Sequence, residues 1–167
     1  MEHIPLKEDA GCRQPVFSPA VVCASCLYAG YLPLIPGTFA SLAVLIWFLA
    51  FNPGPAALGI VALAATAMGF LCAGRAEKTL GKKDPRVIVI DEIAGMSLSL
   101  LFIPHHLWFA LAAFFAFRVL DTVKPYPAAR LQDLHGSVGI MLDDIVAAGY
   151  TVIVMQTVLR VLLRLPV

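Results

Sequence analysis

The sequence predicts an all-α fold: a polytopic membrane helical bundle with about four to five apolar helices and polar loops on the cytoplasmic face. Of its 167 residues, 60% are hydrophobic and only 14% are charged, and the mean hydropathy is +0.85. Soluble domains carry about a quarter charged residues, so this composition lies far outside their range. The apolar residues also cluster in long runs, which is typical of helices that cross a bilayer. At this length, one domain is expected.

Four apolar runs are the candidate helices, and they occupy residues 39–51, 56–73, 107–117 and 145–163. Two of them approach the ~20 residues that span a bilayer core, and two are shorter. We expect the first helix to begin after Thr38 and the second to end near Gly74. A further segment, 87–103, is expected to be helical up to the break "PHH" at 104–106.

Residues 1–28 are predicted as an N-terminal extension, partly amphipathic or disordered, and residues 29–167 as the membrane domain. The chain opens with mixed charge in "MEHIPLKEDAGCRQP" and shows no signal-peptide pattern. Cys23 and Cys26 form a single CxxC motif without a second pair or histidines at ligand spacing. We therefore interpret these cysteines as small, polarizable residues that fill an apolar interior, rather than as a metal or redox site.

The basic residues predict which polar segments face the cytoplasm. Two stretches hold most of the lysines and arginines, namely Arg75, Lys78, Lys82, Lys83, Arg86, Arg118, Lys124 and Arg130. The opposite turns, at 52–55 and 104–106, contain no lysine or arginine. Short loops rich in these residues stay in the cytoplasm, so the polar motifs all belong to that face. The net charge of +1 gives no broad basic surface, and we expect no nucleic acid partner.

Two adjacent acid pairs are embedded in apolar sequence: Asp91–Glu92 in "VIVIDEIAGM" and Asp143–Asp144 in "GIMLDDIVAAG". An ionised side chain near hydrocarbon is costly, so four carboxylates need a cation, protons or basic partners. Carboxylates from two helices form the hard oxygen site that Mg²⁺ prefers, with water and substrate phosphate as further ligands. Helix capping explains Asp91 or Asp143 singly, but it accounts poorly for doubled acids at two places. Which acid of each pair faces the ion is left open.

A polar stretch, "FRVLDTVKPYP", supplies candidate phosphate ligands. Arg118 and Asp121 are three residues apart and therefore neighbours on a helix face, where they can pair. Arg118 and Lys124 are suited to bind phosphate, arginine as a bidentate fork and lysine as a point charge. His135 lies directly before Gly136 on the same face, and the near-neutral pKa of histidine suits a general acid. The alternative is an incidental loop histidine.

The segment "PGTFAS" is a candidate anion cradle. A glycine and hydroxyl residues at a helix start leave free N–H groups, and these bind phosphate readily. Gly37, Thr38 and Ser41 are the residues concerned. Thr38 as the N-cap of the first helix is the alternative, and both interpretations can hold together.

Four motifs stand in order: "PGTFAS", "DEIAGM", "FRVLDTVKPYP" and "HGSVGIMLDDIVAAGY". Together they resemble those of phosphatidylglycerophosphatase A, a bacterial family of lipid phosphatases. The resemblance covers roughly residues 29–151, and four motifs in fixed order are far more specific than any one of them. The chain departs from the family pattern at Ala40 and Ser137, where the pattern has glycine.

The resemblance implies a Mg²⁺-dependent lipid phosphatase that hydrolyses phosphatidylglycerophosphate to phosphatidylglycerol, a cardiolipin precursor, and phosphate. It implies an integral protein of the bacterial inner (cytoplasmic) membrane, with the active site facing the cytoplasm and a phospholipid substrate in the membrane. Whether the chain forms a homo-oligomer is left open. The alternatives are a phosphatase for another phospholipid or a prenyl phosphate, and a small ion or proton transporter.

Roles for the motif residues follow as a hypothesis. The candidate metal ligands are Asp91, Glu92, Asp143 and Asp144. The candidate phosphate-binding residues are Gly37, Thr38, Ser41, Arg118 and Lys124. The candidate catalytic residues are Asp121, Lys124, His135 and Asp143, where His135 protonates the leaving alkoxide and Asp121 orients Arg118 or ligates the metal. Attack by water and an aspartyl-phosphate intermediate through Asp121 or Asp143 both stay open.

Overall fold

The computed structural model describes residues 17–162, and this part of the chain is helical without a strand. The predicted all-α class is thereby confirmed. The α-helices are α1 (Pro19–Ala24), α2 (Pro36–Phe51), α3 (Pro55–Leu80), α4 (Ile90–Ser99), α5 (Leu107–Val123), α6 (Ala128–Gln132) and α7 (Ser137–Thr157). A 3₁₀ turn at Ala29–Tyr31 follows α1, and a π-helical turn at Val158–Leu162 extends α7.

Two helices are long and apolar enough to cross a membrane. They are α3, with 26 residues, and the continuous helix Ser137–Val161, with 25 residues. Helices α2 and α5, with 16 and 17 residues, fall short of the ~20 residues that a full span needs. The expected count of four to five apolar spanning helices is therefore not confirmed, although a helical membrane protein is consistent with the structure.

Large apolar side chains cover the outer faces of several helices. Leu63 on α3 is 72% exposed, Trp108 on α5 is 69% exposed and Ile153 on α7 is 62% exposed. Soluble monomers rarely expose contiguous apolar surface on this scale. Contact with lipid removes the penalty, because hydrocarbon is as apolar as these side chains.

Helix α2 begins three residues earlier than the sequence predicts. Proline is favoured at the first helical position, where its fixed φ suits the helix and its missing N–H is not needed. Pro36 takes this position, so Thr38 lies inside the first turn and Ile35 occupies the N-cap without a side-chain bond. The alternative that Thr38 caps the helix is therefore wrong.

Helices α3 and α7 are also longer than predicted. Helix α3 continues past Gly74 to Leu80 and ends at Gly81, whose φ of +64° is the left-handed conformation common after a helix. Helix α7 begins at Ser137 rather than at residue 145, directly after Gly136 with φ +75°. The acid pair 143–144 therefore lies within the helix, and not at its start.

Helix α4 is the short, buried centre of the bundle. It has 10 residues, whereas the sequence predicts a helix throughout 87–103. At 1.5 Å per residue it is about 15 Å long, half of a ~30 Å hydrocarbon core. It packs against α2, α3, α5 and α7. These helices surround it with protein, which a helix too short to span the bilayer needs. Its first turn carries Asp91 and Glu92.

Two hydrophobic clusters hold the bundle together. One includes Phe48, Met96 and Phe117, and the other joins Val21 of α1 to Met141 of α7 and to α3. Helix α1 thus belongs to the packed body, although it lies in the predicted extension. Residues 1–16 lie outside the described residues, and the domain boundary between 28 and 29 stays a prediction.

Candidate functional site

Three carboxylates meet where α4 packs against α7. One oxygen each from Asp91, Glu92 and Asp144 lie within 4.8 Å of one another. Asp91 is only 7% exposed and Asp144 only 4% exposed. Three carboxylates this close cannot all stay ionised unless a cation compensates their charge. Without a cation, at least one of them binds a proton. We refer to these three residues as the carboxylate cluster.

The free oxygens of the carboxylate cluster fit a hard divalent cation. Asp91 Oδ1 accepts the backbone N–H of Glu92 at 3.0 Å. In contrast, Glu92 Oε2 and Asp144 Oδ2 are buried and have no hydrogen-bond partner. Buried polar atoms are almost always paired, so two buried acceptors without a partner in one cluster fit a cationic ligand. An all-oxygen donor set is what Mg²⁺ prefers.

The N-terminus of α2 lies directly against this cluster. A Cβ on Gly37 would collide with Oε1 of Glu92, so glycine is required for the close approach. The first N–H groups of a helix lack intrahelical partners and carry a positive partial charge, which stabilises a nearby anion. The predicted anion cradle therefore faces the Glu92 carboxylate. Ser41, however, is buried and its hydroxyl donates to the Gly37 carbonyl at 3.1 Å, within the helix.

Arg118 and Asp121 form the expected pair on α5, with Arg118 Nη1 3.0 Å from Asp121 Oδ2. The two atoms are close enough for an ion pair, but their geometry is not that of a hydrogen bond. Arg118 Nη1 is buried and has no other acceptor. The Arg118 charge acts on Glu92, and the Asp121 carboxyl contacts that of Asp144. The pair thus borders the carboxylate cluster and offers it an unused donor.

Asp143 has a different partner from its neighbour. Lys124 Nζ donates to Asp143 Oδ2, so this carboxylate is engaged outside the carboxylate cluster. Lys124 ends α5 in the left-handed conformation, with φ +48°. Burial lowers the pKa of Lys124, but the hydrogen bond and charge of Asp143 outweigh it, and the net pKa is raised. The ammonium group therefore stays charged.

His135 lies in a different setting from the carboxylate cluster. Its side chain is exposed and lines a cavity of about 460 Å³ together with Lys78, Lys82 and Lys83, and with Glu77 at the end of α3. The structure thus places His135 among lysines. Its predicted role as a general acid stays a prediction.

The cysteines fill apolar space. Burial and contact with Cys72 raise the pKa of Cys23 to about 11, and burial, Cys23 and Glu92 raise the pKa of Cys26 to about 12. Both thiols stay protonated at neutral pH, which makes them poor nucleophiles and metal ligands. Within residues 17–162, the grouping able to hold a metal is the carboxylate cluster.

Sequence reasoning missed the residues that bring the motifs together. A Cβ on Gly95 would meet the Phe117 ring, and would come within 3.3 Å of the Asp144 carbonyl oxygen. Gly95 therefore lets α4 approach α7 closely enough for their acids to meet. The available signal was a glycine inside "DEIAGM", one helical turn after Asp91.

Two hydrogen bonds fix the loops around the site. Ser137 Oγ accepts the N–H of Gly74 at 2.7 Å, which joins the start of α7 to α3. Tyr150 donates its hydroxyl to the Tyr126 carbonyl at 2.7 Å, which holds the proline segment after Lys124 against α7. Neither long-range pairing has a local pattern in the sequence.

Fold and site together define a class of protein: a helical membrane protein in which a carboxylate cluster able to hold a metal adjoins an arginine and a lysine. The chain belongs to the phosphatidylglycerophosphatase A family, whose model matches residues 22–159. This range contains every residue of the site described above. The chain is therefore a phosphatase that acts on phospholipid.

Two known relatives each align with 84% of the chain, and a third aligns with less than half of it. Phosphatidylglycerophosphatase A of Escherichia coli is 37% identical over 145 residues, 84% of this chain and 84% of the relative. A Bacteroides thetaiotaomicron protein with the provisional name phosphatidylinositol-3-phosphatase is 33% identical over 150 residues, 84% of this chain and 93% of the relative. Phosphatidylglycerophosphatase A of Haemophilus influenzae is 43% identical over 77 residues, 45% of this chain and 47% of the relative. No solved structure matches the chain significantly.

Proposed function

We propose that the protein removes the terminal phosphate of phosphatidylglycerophosphate and releases phosphatidylglycerol and inorganic phosphate. The observation that carries this proposal is the carboxylate cluster with its orphaned oxygens beside Arg118 and Lys124. A phosphate monoester needs cationic partners on its oxygens, and phosphoryl transfer depends mostly on positioning and electrostatics. The names of the Escherichia coli and Haemophilus influenzae relatives support this substrate.

Asp91, Glu92 and Asp144 would hold Mg²⁺, which would neutralise phosphate charge and lower the pKa of a bound water. We assign Asp143 a different task from the one that the sequence predicts. Because Asp143 is buried and paired with Lys124, it fixes the position of the ammonium group. Its part as a metal ligand thus depends on a rearrangement of that pair.

Arg118 and Lys124 bind the phosphate oxygens in this proposal. Arg118 keeps a donor free while Asp121 orients its guanidinium, and arginine binds phosphate in a bidentate fashion. Lys124 contributes a fixed positive charge. The N–H groups of Gly37 and Thr38 at the start of α2 add donors next to Glu92.

The hydrolytic step is direct attack by water. Asp121 and Asp143 are each paired with a basic residue, so neither carboxylate is free to attack phosphorus. An aspartyl-phosphate intermediate is therefore the alternative mechanism. The role of His135 as the acid that protonates the leaving alkoxide requires its ring to move from the lysine-lined cavity to within hydrogen-bond reach of the phosphate at the carboxylate cluster. We place the site on the cytoplasmic face of the bacterial inner membrane, within a bundle of four to five apolar helices.

Phosphate release by the purified protein tests the proposal. We expect phosphatidylglycerophosphate to be hydrolysed with Mg²⁺ and not with EDTA. Asp144→Asn should lower kcat/KM by at least about 100-fold, because removing one electrostatic partner of a transition state costs this much. Asp133→Asn is the matched control, since Asp133 is exposed. Full activity in Asp144→Asn, or in EDTA, would overturn the metal assignment.

Phosphatidylinositol 3-phosphate is a second candidate substrate, since the Bacteroides thetaiotaomicron relative aligns over 93% of its own length. A panel with both lipids and a prenyl phosphate decides between them by kcat/KM. An ion or proton transporter is disfavoured by the geometry. A relay needs ionisable groups spread through the bilayer depth, whereas these three carboxylates meet at one point.

A further inference from the structure

Another cavity adjoins the site, and its walls are almost entirely apolar. It has a volume of about 700 Å³ and is formed by α1, the turn after α1, α3 and the start of α4. Cavities of roughly 300–1,000 Å³ with apolar walls are typical of small-molecule sites. Among the described residues that line it, none is assigned above to the ion or to the phosphate.

Two lining residues place this cavity next to the carboxylate cluster. Ile90 immediately precedes Asp91 in the first turn of α4. Cys26 also lines the cavity and packs against the same hydrophobic cluster as Ile90. The first turn of α4 therefore borders both the acidic site and the apolar cavity.

A third lining residue gives the depth of the cavity in the membrane. Met68 lies on α3, seven positions before Arg75, the first charged residue of that helix. At 1.5 Å per residue this separation is about 10 Å, roughly a third of a ~30 Å hydrocarbon core. With the charged end of α3 at the membrane surface, as in the proposed orientation, the cavity lies beside the part of an acyl chain that is next to the headgroup.

We propose that this cavity binds one acyl chain of the lipid substrate while the phosphate of the same lipid lies at the carboxylate cluster. The inference rests on the proposed function, because it assigns the apolar half of that substrate. Phosphatidylglycerophosphate and phosphatidylinositol 3-phosphate differ in headgroup but share the diacylglycerol body. A chain-binding cavity recognises this shared part.

The cavity acts by orientation rather than by affinity. An acyl chain in a bilayer is already in hydrocarbon, so moving it into an apolar cavity removes no further surface from water. Fixing the chain instead restricts where the headgroup can lie. A displacement of about 1 Å at a reacting phosphate can cost on the order of 100-fold in rate, so this restriction changes kcat/KM.

Filling the cavity tests the inference. Met68→Trp adds bulk at the wall, and Leu63→Trp is the matched control, an exposed apolar position on the same helix outside the lining. Phosphate release is measured in mixed micelles with Mg²⁺, from dioleoyl phosphatidylglycerophosphate and from its fully deacylated form, which keeps the headgroup and has no acyl chain. We expect Met68→Trp to lower kcat/KM for the dioleoyl lipid by about tenfold and to leave kcat/KM for the deacylated substrate unchanged, and we expect Leu63→Trp to change neither. Equal effects on both substrates, or in both variants, would overturn the inference.

A binding measurement keeps the inference separate from the proposed function. A phosphatidylglycerophosphate with a diazirine in one acyl chain is photolysed with the wild-type protein, and the labelled peptides are mapped. Labels concentrated on α1 and around Met68 support binding of an acyl chain in the cavity. If the wild-type protein gives these labels but releases no phosphate, only the proposed function is rejected. Labels spread evenly over the exposed faces of α3 and α5 would show ordinary surrounding lipid and reject the cavity.

Discussion

Lys124 and Asp143 show how the chain keeps a charged pair inside an apolar bundle. The Asp143 side chain is 4% exposed and that of Lys124 is 20% exposed. Removing one member of a buried pair leaves an uncompensated charge, whereas replacing both by apolar residues is often neutral. Stability and catalysis can therefore be separated at this pair.

Lys124→Met should destabilise the protein by about 3 kcal/mol, because it leaves the Asp143 carboxylate buried without a charged partner. The double variant Lys124→Met with Asp143→Leu should recover most of that loss while phosphate release stays low, since Lys124 binds phosphate in our proposal. Thermal unfolding in detergent and phosphate release measure the two effects. An active double variant would mean that Lys124 serves only to compensate Asp143.

A second residue prediction concerns the close contact between Gly37 and Glu92. Gly37→Ala should raise the Mg²⁺ concentration for half-maximal activity by about tenfold, because the new Cβ displaces the Glu92 carboxylate. Gly54→Ala is the control, since a Cβ there meets nothing within 4 Å. An unchanged Mg²⁺ requirement in Gly37→Ala would remove Glu92 from the proposed ligands.

At the residue scale, the sequence indicated which polar side chains matter and left their partners open. Doubled acids in apolar sequence predicted a site, and three of the four acids meet. The local pattern could not tell that Asp144 joins Asp91 and Glu92 while Asp143 turns to Lys124. That choice depends on the rotation of α7 against α4, which many distant contacts set together.

At the scale of elements, the crossing of α3 and α7 positions the second acid pair. A Cβ on Gly74 would lie 2.8 Å from the backbone nitrogen of Ser137 and 2.9 Å from its Oγ. Backbone atoms cannot move aside as a flexible side chain can. Gly74 therefore lets the start of α7 rest on α3, and its N–H donates to the Ser137 hydroxyl.

Gly74→Ala should lower the unfolding temperature, although alanine favours a helix by about 1 kcal/mol over glycine. The clash with Ser137 and overpacking of about 1–3 kcal/mol exceed that gain. Gly59→Ala, on the same helix, is the control, since its Cβ would make only an ordinary contact at 3.9 Å. The unfolding temperature of Gly59→Ala should equal or exceed that of the wild type. Equal unfolding temperatures for Gly59→Ala and Gly74→Ala would contradict the close contact between α3 and α7 at Gly74.

Helix type was predictable here and helix bounds were not. The four apolar runs predicted α2, α3, α5 and α7, because a long apolar segment in a membrane is stable almost only as a helix. The start of α7 was misplaced because the polar pair 143–144 resembles a helix end. In the structure, α7 starts directly after Gly136, and Lys124 compensates the charge of Asp143 inside the helix.

At the scale of the whole molecule, the distribution of charge supports the proposed orientation in the membrane. The polar ends of α3 and α5 carry most of the basic residues, while the turns 52–55 and 104–106 at the other end carry none. Such asymmetry favours a cytoplasmic location for the basic end. Orientation is a global property that is read from charge distribution rather than from contacts, and the cytoplasmic orientation stays a prediction.

Cysteine reporters should verify this orientation in intact cells. A membrane-impermeant maleimide should label His106→Cys from outside, and should label Lys82→Cys only after the cells are opened. Both positions are exposed, and the wild-type chain, with its own cysteines, gives the background. Labelling of Lys82→Cys in intact cells would place the site on the outer face and contradict the proposed location.

The shortness of α4 has a consequence for biogenesis. A segment of ten helical residues that begins with two acids is too short and too polar to partition into a bilayer by itself. It needs α3 on one side and α7 on the other, and α7 is synthesised last of the three. We expect nascent chains that stop before α7 to leave this segment accessible to water and open to proteolysis. The catalytic centre would then be completed only once α7 has been synthesised and has packed against α4.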